Sequence, residues 1–412
     1  MSIRPRLIFA LLVFTLAAIT YWNGLDGGFI FDDNANIVNN TAIHITGLSW
    51  DSLRASISGL QAGPLGRPVS VLSFALTHYF YGLNPFAYKA TNLAIHAING
   101  LLAAQFVLLL LKSFQSNGHD ANARDSWLAV WVAIVWVVHP INVVPVLLAV
   151  QRMTLLAGTF CLLALIAHLK ATDCLQYRNM RWGWLALSWL VFWPLAMLSK
   201  ETGILFPLFV LAILYMRPVQ EVEANKLHTR SKVLLTILLL SVGVGMLAHL
   251  GWDWLNRAYG TRSFTLVERL MTEARVLFFY ASQILFPNSS WFSLYHDDFQ
   301  LSTSIAQPVS TALAIAAIGV ATGAIVLLRL RFPIPCFAVL WFMVGHSLES
   351  TFLPLELVHE YRNYVPSIGL ILGASWIGLA VLKKVKLDHA TATKMVVGGG
   401  IVTLCSVKIG RA

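Results

Sequence analysis

The chain reads as an all-α polytopic membrane protein, a bundle of about eleven transmembrane helices, and three observations lead there. Hydrophobic residues make up 57% of its 412 residues and charged residues only 12%, where a soluble domain carries about a quarter charged residues. Apolar runs of about 17–25 residues, long enough to cross a hydrocarbon core, recur along the chain. The alternating strands of about ten residues that mark an outer-membrane barrel are absent. The net charge of +10 is explained by basic loops on one side of a bilayer and implies no nucleic acid partner.

The first span is expected at 7–23. MSIRPRLIFALLVFTLAAITYW carries Arg4 and Arg6 before a long apolar run that ends in aromatics. It lacks a small-x-small cleavage site and reads as an uncleaved helix, not a signal peptide. Further spans are expected at 88–111, 127–148, 152–169, 183–198, 203–217, 233–251, 309–328, 333–348, 364–382 and 394–409. The segment 68–83, PVSVLSFALTHYFYGL, is apolar but holds Pro68, His78 and several tyrosines, so it is laid along the membrane surface as an interfacial helix. Cys161, Cys174, Cys336 and Cys405 lie in or beside apolar runs without paired spacing, which suggests neither a disulfide framework nor a zinc site.

Loop charge sets the orientation. With Arg4 and Arg6 in the cytoplasm, alternate loops carry Lys112 and Arg124; Lys170, Arg178 and Arg181; Arg217, Lys226, Arg230 and Lys232; Arg329 and Arg331; Lys383, Lys384 and Lys386. Each falls on the cytoplasmic side, as the positive-inside rule requires. Lys408 and Arg411 at the end of the chain fit this parity less well. The external side then holds two long stretches, 24–87 and 252–308, within a single transmembrane domain covering 1–412.

Short polar islands sit at the external membrane edge: FDD with Asp32 and Asp33, GRP with Arg67, HP with His139, QR with Arg152, SKE with Lys200 and Glu201, TEAR with Glu273 and Arg275, and HEYRNY with His359, Glu360, Arg362 and Tyr364. Each has a plain structural reading. The aspartates can cap a turn, Lys200 and Glu201 can pair locally, and His139-Pro140 can kink a helix. Against this, charges retained beside a bilayer are costly, and these all face one side. Asp32 and Asp33 offer a general base, since adjacent carboxylates raise one another's pKa. The same pair can share a divalent cation, and no other cofactor is implied. Arg67, Arg152, Lys200, Arg275, His359 and Arg362 offer an anion clamp. Walker-type phosphate loops are absent, which disfavours soluble nucleotide chemistry.

The islands come in a familiar order: FIFDDNANIVNN, GRPVSVLSFALTHYFYGLNPFAYKATNLAIHAING, HPINVVPVLLAVQRMTLLAG, SKETGILFP, MTEARVLFFYASQILFPNSSW and HEYRNYVPSIGL. In these the chain resembles the GT-C class of polytopic glycosyltransferases. It is most similar to the membrane part of the transmembrane and tetratricopeptide-repeat O-mannosyltransferases and to short bacterial relatives such as pilin glycosyltransferases. The resemblance implies a GT-C-like bundle with external interfacial helices and a polyprenyl-phosphate-linked sugar donor. It also implies work on the non-cytoplasmic face, here the periplasmic face of a bacterial inner membrane. An acidic motif in the first external loop would carry the catalytic carboxylate, which places that role on Asp32 or Asp33. The leaving phosphate would be met by Arg362, His359, Arg152, Lys200 and Arg67, with His139, Glu201, Glu273, Arg275, Glu360 and Tyr364 in support. The acceptor is expected to be a hydroxyl of a surface protein such as a pilin, with a glycan or a lipid as alternatives. The expected reaction is a single displacement with inversion.

A lipid-linked-sugar flippase or other transporter would also be polytopic with buried charges. Its two halves would commonly be related, and its substrate charges would lie near the midplane; here no halves match. A non-catalytic scaffold would tolerate replacement of both aspartates.

The orientation is directly testable. Single cysteines at positions 36 and 295 should react with an impermeant thiol reagent from outside, and cysteines at 117 and 225 should not. Strong outside labelling at 225 would invert the topology.

Overall fold

The computed structural model describes residues 3–59, 63, 65–115, 123–174, 177–217 and 257–384. The expected spans 233–251 and 394–409 lie outside these residues, as do Lys226, Arg230, Lys232 and Lys386. The described residues are helical, with no strand and one isolated bridge between Ser304 and Gln307. Six helices are long and apolar enough to cross a bilayer: Arg6–Gly24, Pro85–Ser113, Ala149–Thr172, Arg178–Ser199, Ser310–Leu328 and Pro366–Lys383. The chain is thus an all-α, multi-pass membrane protein. The count of eleven is not reached among the described residues: two expected spans lie outside them, one is broken, and Glu201–Met216 and Pro333–His346 are shorter apolar helices.

The span expected at 127–148 is broken, and its two pieces, Ala123–Val137 and Pro140–Leu147, meet at 55°. The break is local chemistry. Pro140 has no N–H to donate and pushes the residue before it out of helical geometry. His139 is extended, and its Nδ1 accepts the Ile141 N–H at 3.1 Å, which caps the short turn that follows.

The chain divides into two compact units, Met1–Leu109 with Ala123–Phe206, and Leu110–Asn122 with Pro207–Ala412. The first contains α1 (Ile3–Tyr21), α2 (Trp50–Ser58), α3 (Pro68–Tyr81), most of α4 (Pro85–Ser113), α5 (Ala123–Val137), α6 (Val143–Leu147), α7 (Arg152–Asp173), α8 (Arg178–Ala186) and α9 (Trp193–Ser199). Its loop between α1 and α3 is folded rather than loose. Ile37, Ile43 and Ile45 of that loop pack with Val71 and Phe74 of α3, Tyr88 of α4 and Leu148–Val150 before α7. At about 1.5 Å per residue, the 14 residues of α3 reach only about 21 Å, short of the roughly 30 Å hydrocarbon core. One face of α3 is buried through Ser70, Val71, Phe74, Ala75 and Thr77, while Leu76, Tyr79, Phe80 and Tyr81 are exposed.

The second unit contains α10 (Phe206–Met216) beyond its first residue, α11 (Leu266–Leu285), α12 (Ser310–Leu328), α13 (Pro333–His346) and α14 (Pro366–Lys384). α11 opens on a capping box in which Thr265 and Glu268 satisfy each other's backbone N–H groups. α13 and α14 pack closely because glycines lie at the contact. A Cβ on Gly369 would sit 2.6 Å from Trp341 Cδ1, and one on Gly373 would sit 2.6 Å from Ala338 Cβ. This is the small-xxx-small spacing that lets helix backbones approach in lipid.

Gly203, after α9, makes the tightest approach to backbone atoms. A Cβ there would lie 2.4 Å from the Ala196 carbonyl carbon and 2.5 Å from the Met197 nitrogen. Backbone atoms cannot move aside as a side chain can, so Gly203→Ala should displace the turn that carries Lys200 and Glu201. A destabilisation of about 1–3 kcal/mol is expected for such overpacking. It should be read as a lower unfolding temperature in detergent, and an unchanged temperature would contradict this packing.

Candidate functional site

The polar islands gather into two clusters, one in each unit. In the first unit FDD, QR, GRP and SKE meet. Phe31, just before the aspartates, has φ of 54°, a left-handed conformation that a bulky residue rarely adopts. It leads into a short helical segment in which the successive Asp32 and Asp33 side chains point about 100° apart. Asp33 turns inward and is 0% exposed. Its Oδ1 accepts the Val150 N–H at 2.7 Å, and its Oδ2 accepts the Ala149 N–H at 3.3 Å and the Ile30 N–H at 3.4 Å. The carboxylate therefore takes up free N–H groups of the turn Ala149–Gln151 that leads into α7. Burial raises the Asp33 pKa, against the pull of the Val150, Ile30 and Ala149 N–H groups and the charge of Lys89. Asp32 is exposed, and among the described residues its carboxylate makes no hydrogen bond or ion pair. Its backbone carbonyl accepts the Asn36 amide at 2.8 Å.

Arg152 is 0% exposed and its guanidinium is spoken for by protein. Nε donates to Asn92 Oδ1 at 2.9 Å, Nη1 to the Ser73 carbonyl at 3.0 Å and Thr77 Oγ1 at 2.7 Å, and Nη2 to the Tyr88 carbonyl at 2.9 Å. The same guanidinium packs 5.1 Å from the Phe74 ring centre and 5.3 Å from that of Tyr88. It ties α3, α4 and α7 together. Arg67 is left-handed, with φ of 48°, and pairs with Glu201 at 2.8 Å, each side chain 22% exposed. The pairing is two-pronged, since Nε also donates to Glu201 Oε2 at 3.0 Å. Lys200 is buried, and its Nζ donates to Thr154 Oγ1 at 3.1 Å. His139 is buried too, and its carbonyl accepts the Tyr21 hydroxyl at 3.3 Å.

The second cluster joins TEAR and HEYRNY. Glu273 pairs with Arg269 at 2.9 Å and lies 3.8 Å from Arg362, all three side chains being buried. Both arginines direct donors to one loop, while among the described residues Arg362 Nε has no hydrogen-bond partner. Arg269 donates to the carbonyls of Glu349, Thr351, Leu355 and Glu356, and Arg362 to those of Glu356 and Leu357. Glu360 is buried, and its Oε1 accepts from His296 Nε2 at 3.0 Å, the Ser293 N–H at 2.9 Å and Gln283 Nε2 at 3.3 Å. Arg275 donates to the Gln300 carbonyl at 2.6 Å. Tyr364 is buried in the core. His359 is half-exposed, stacks on Tyr361 at 4.9 Å and stands 3.7 Å from Glu356. His359 first, and then Arg262, hold the Glu356 carboxyl well below its ordinary value, against the opposing effect of burial.

Three participants, Lys89 and Arg269 buried and His296 partly buried, were not singled out from the sequence. Lys89 donates to the carbonyls of Gly27 at 2.7 Å and Gly24 at 3.3 Å, holding the chain just before FDD. Arg269 precedes Glu273 by one helical turn, a spacing that signals an ion pair. His296 follows an aromatic-rich loop and carries no local sign that Glu360 is its partner. No group of three His, Cys, Asp or Glu side chains placed to hold a metal occurs among the described residues. The inward turn of Asp33 also takes it away from a cation shared with Asp32.

This geometry defines a multi-pass helical protein that keeps one exposed carboxylate on a hydrogen-bonded loop, in a unit where Arg152 is held wholly by protein acceptors and Arg67 stays partly exposed. Comparison with known proteins then narrows the class. The chain is 29% identical over 165 residues to Protein O-mannosyl-transferase TMTC3 of Mus musculus, covering 39% of this chain and 16% of that protein. It is 29% identical over 215 residues to Protein O-mannosyl-transferase TMTC4 of Homo sapiens, covering 49% and 28%. With Protein O-mannosyl-transferase TMTC2 of Homo sapiens it shares 29% over 196 residues, covering 46% and 22%. The matched stretch thus spans well under a third of each of these relatives. No family model matches the chain, and no solved structure does. The resemblance to the O-mannosyltransferases seen in the islands holds over the part that aligns.

Arg152→Lys keeps the charge but not the planar fork. It should leave Ser73, Thr77, Asn92 or Tyr88 without a donor and destabilise the first unit by roughly 2 kcal/mol or more. Thermal unfolding in detergent measures this. Wild-type stability in Arg152→Lys would mean that the guanidinium is not the tie described.

Proposed function

We propose that the chain is an integral-membrane glycosyltransferase of the GT-C class. It moves a sugar from a polyprenyl-phosphate-linked donor to a Ser or Thr hydroxyl of a protein, with inversion, on the non-cytoplasmic face. For a bacterial inner membrane that face is periplasmic, and a pilin-type surface protein is the acceptor class to try first. The observation that carries the reading is the division of labour between Asp32 and Asp33. Asp33 fixes the loop by accepting N–H groups from the turn before α7, and Asp32 is left exposed on that fixed loop. A general base needs this combination of an open proton acceptor and a backbone that does not move.

In this mechanism Asp32 takes the proton of the acceptor hydroxyl as its oxygen attacks the anomeric carbon. The bond from that carbon to the lipid phosphate breaks, and the phosphate leaves with the electron pair. In the first unit, Arg67 and Lys200 are the cations assigned to meet that charge, with Glu201 orienting Arg67. Arg152 and His139 support the fold around them. The second unit holds a separate candidate phosphate contact, half-exposed His359, with Arg362, Glu273, Glu360, Arg275 and Tyr364 holding its surroundings.

The test is in vitro transfer from a polyprenyl-phosphate sugar by purified wild type, Asp32→Asn and Asp33→Asn, each with and without chelator. Asp32→Asn should lose about 10²-fold or more in rate, the scale of general-base help, with its thermal stability unchanged. Asp33→Asn should lose stability by about 1–3 kcal/mol, the cost of unmet buried N–H groups, and its activity should follow its folded fraction. Full activity in Asp32→Asn would overturn the mechanism. Loss with chelator, restored by a divalent ion, would assign a metal to the site instead.

A further inference from the structure

Helix α11 has its two faces reversed relative to a helix that rests on a core and faces water. Its buried residues include Arg269, Thr272, Glu273, Tyr280 and Gln283. Its four exposed positions are all apolar: Val267 at 63%, Leu270 at 46%, Phe278 at 44% and Leu285 at 39%. At 3.6 residues per turn these four fall on one face, and Phe286, 70% exposed, prolongs it past the end of the helix. A water-facing amphipathic helix places these classes the other way round.

The polar stripe is met by protein. Arg269 binds the loop after α13, the Tyr280 hydroxyl accepts the His359 N–H at 2.6 Å, and Gln283 reaches Glu360 at 3.3 Å. Both ends of α11 therefore bind the same segment between α13 and α14, so the helix runs along that segment. Its packing neighbour also exposes apolar side chains. α11 packs on α12, a helix long and apolar enough to cross a bilayer, whose Leu313 and Val320 are 66% and 73% exposed. Exposed apolar surface of this kind marks contact with a membrane or a partner. Packing against a helix long and apolar enough to span selects the membrane.

We infer that α11 is an interfacial helix set into the bilayer edge, with Val267, Leu270, Phe278 and Leu285 against lipid acyl chains and its charged stripe sealed against protein. Its arginines and glutamates exclude it from any count based on hydropathy, and the sequence assigns its residues to an external loop.

The experiment places a spin label on single-cysteine variants Val267→Cys, Leu270→Cys, Phe278→Cys and Leu285→Cys, with Cys161, Cys174, Cys336 and Cys405 replaced by Ala, in phosphatidylcholine vesicles. Asp298→Cys, on an exposed loop, is the water reference. Collision with oxygen should exceed collision with a water-soluble nickel chelate several-fold at the four helix positions, and the order should reverse at 298. Nickel dominance at the four positions would overturn the inference. So would exclusion of both reagents together with spin coupling between two chains, which would assign the face to a second copy. Phe278→Trp in the chain with its native cysteines supplies an independent reading. Its added fluorescence should be quenched in vesicles of brominated phospholipid, and an unquenched signal would count against lipid contact.

Discussion

A guanidinium taken out of water must find its hydrogen bonds in protein, and this requirement organises both units. Arg152, Arg269 and Arg362 are each withdrawn from solvent and surrounded by carbonyl and amide oxygens. Leaving such donors unmet costs several kcal/mol apiece near lipid, so the chain brings distant segments to them. Arg152 draws in residues 73, 77, 88 and 92. Arg269 and Arg362 draw in the stretch from 349 to 357. The loops at the membrane edge are ordered because cations hold their carbonyls.

Asp33 applies the same logic with the sign reversed. The turn before α7 leaves N–H groups with no helical partner, and a buried carboxylate meets them. Lys89 holds the carbonyls of Gly24 and Gly27 just upstream. The FDD loop is thus fixed from both sides by charges that do not face a ligand. Asp32, next to Asp33 in the chain, is the residue left free by that arrangement. Exposure of one carboxylate rests on burial of the other.

The all-helical, multi-pass class and the seven polar islands were legible in the sequence, because composition and local motifs encode them directly. The direction in which each polar side chain points was not. Asp32 and Asp33 are chemically identical and adjacent. What separates them is one step of about 100° along the helical segment they share, and no local pattern says which of the two faces inward. Arg152 read as an anion ligand because charge beside a bilayer suggests function. Its donors are taken by residues 60 to 79 positions away, a distance that no local pattern reports. The kink at His139-Pro140 was legible, since proline acts on its immediate neighbours.

α11 shows the limit from the other side. Periodicity in the sequence separates its polar face from its apolar face, and solvent ordinarily decides which one is outside. In water the charged stripe would be outside and the helix would belong to a loop. Beside a bilayer the assignment inverts, because the charges are better satisfied by a protein loop rich in free carbonyls than by lipid. The loop after α13 supplies those carbonyls, and two arginines with a glutamate between them bring net positive charge to meet them. The same carbonyl-holding chemistry that orders the HEYRNY segment therefore also turns the apolar face of α11 outward. One interaction sets both the shape of the loop and the surface the helix presents.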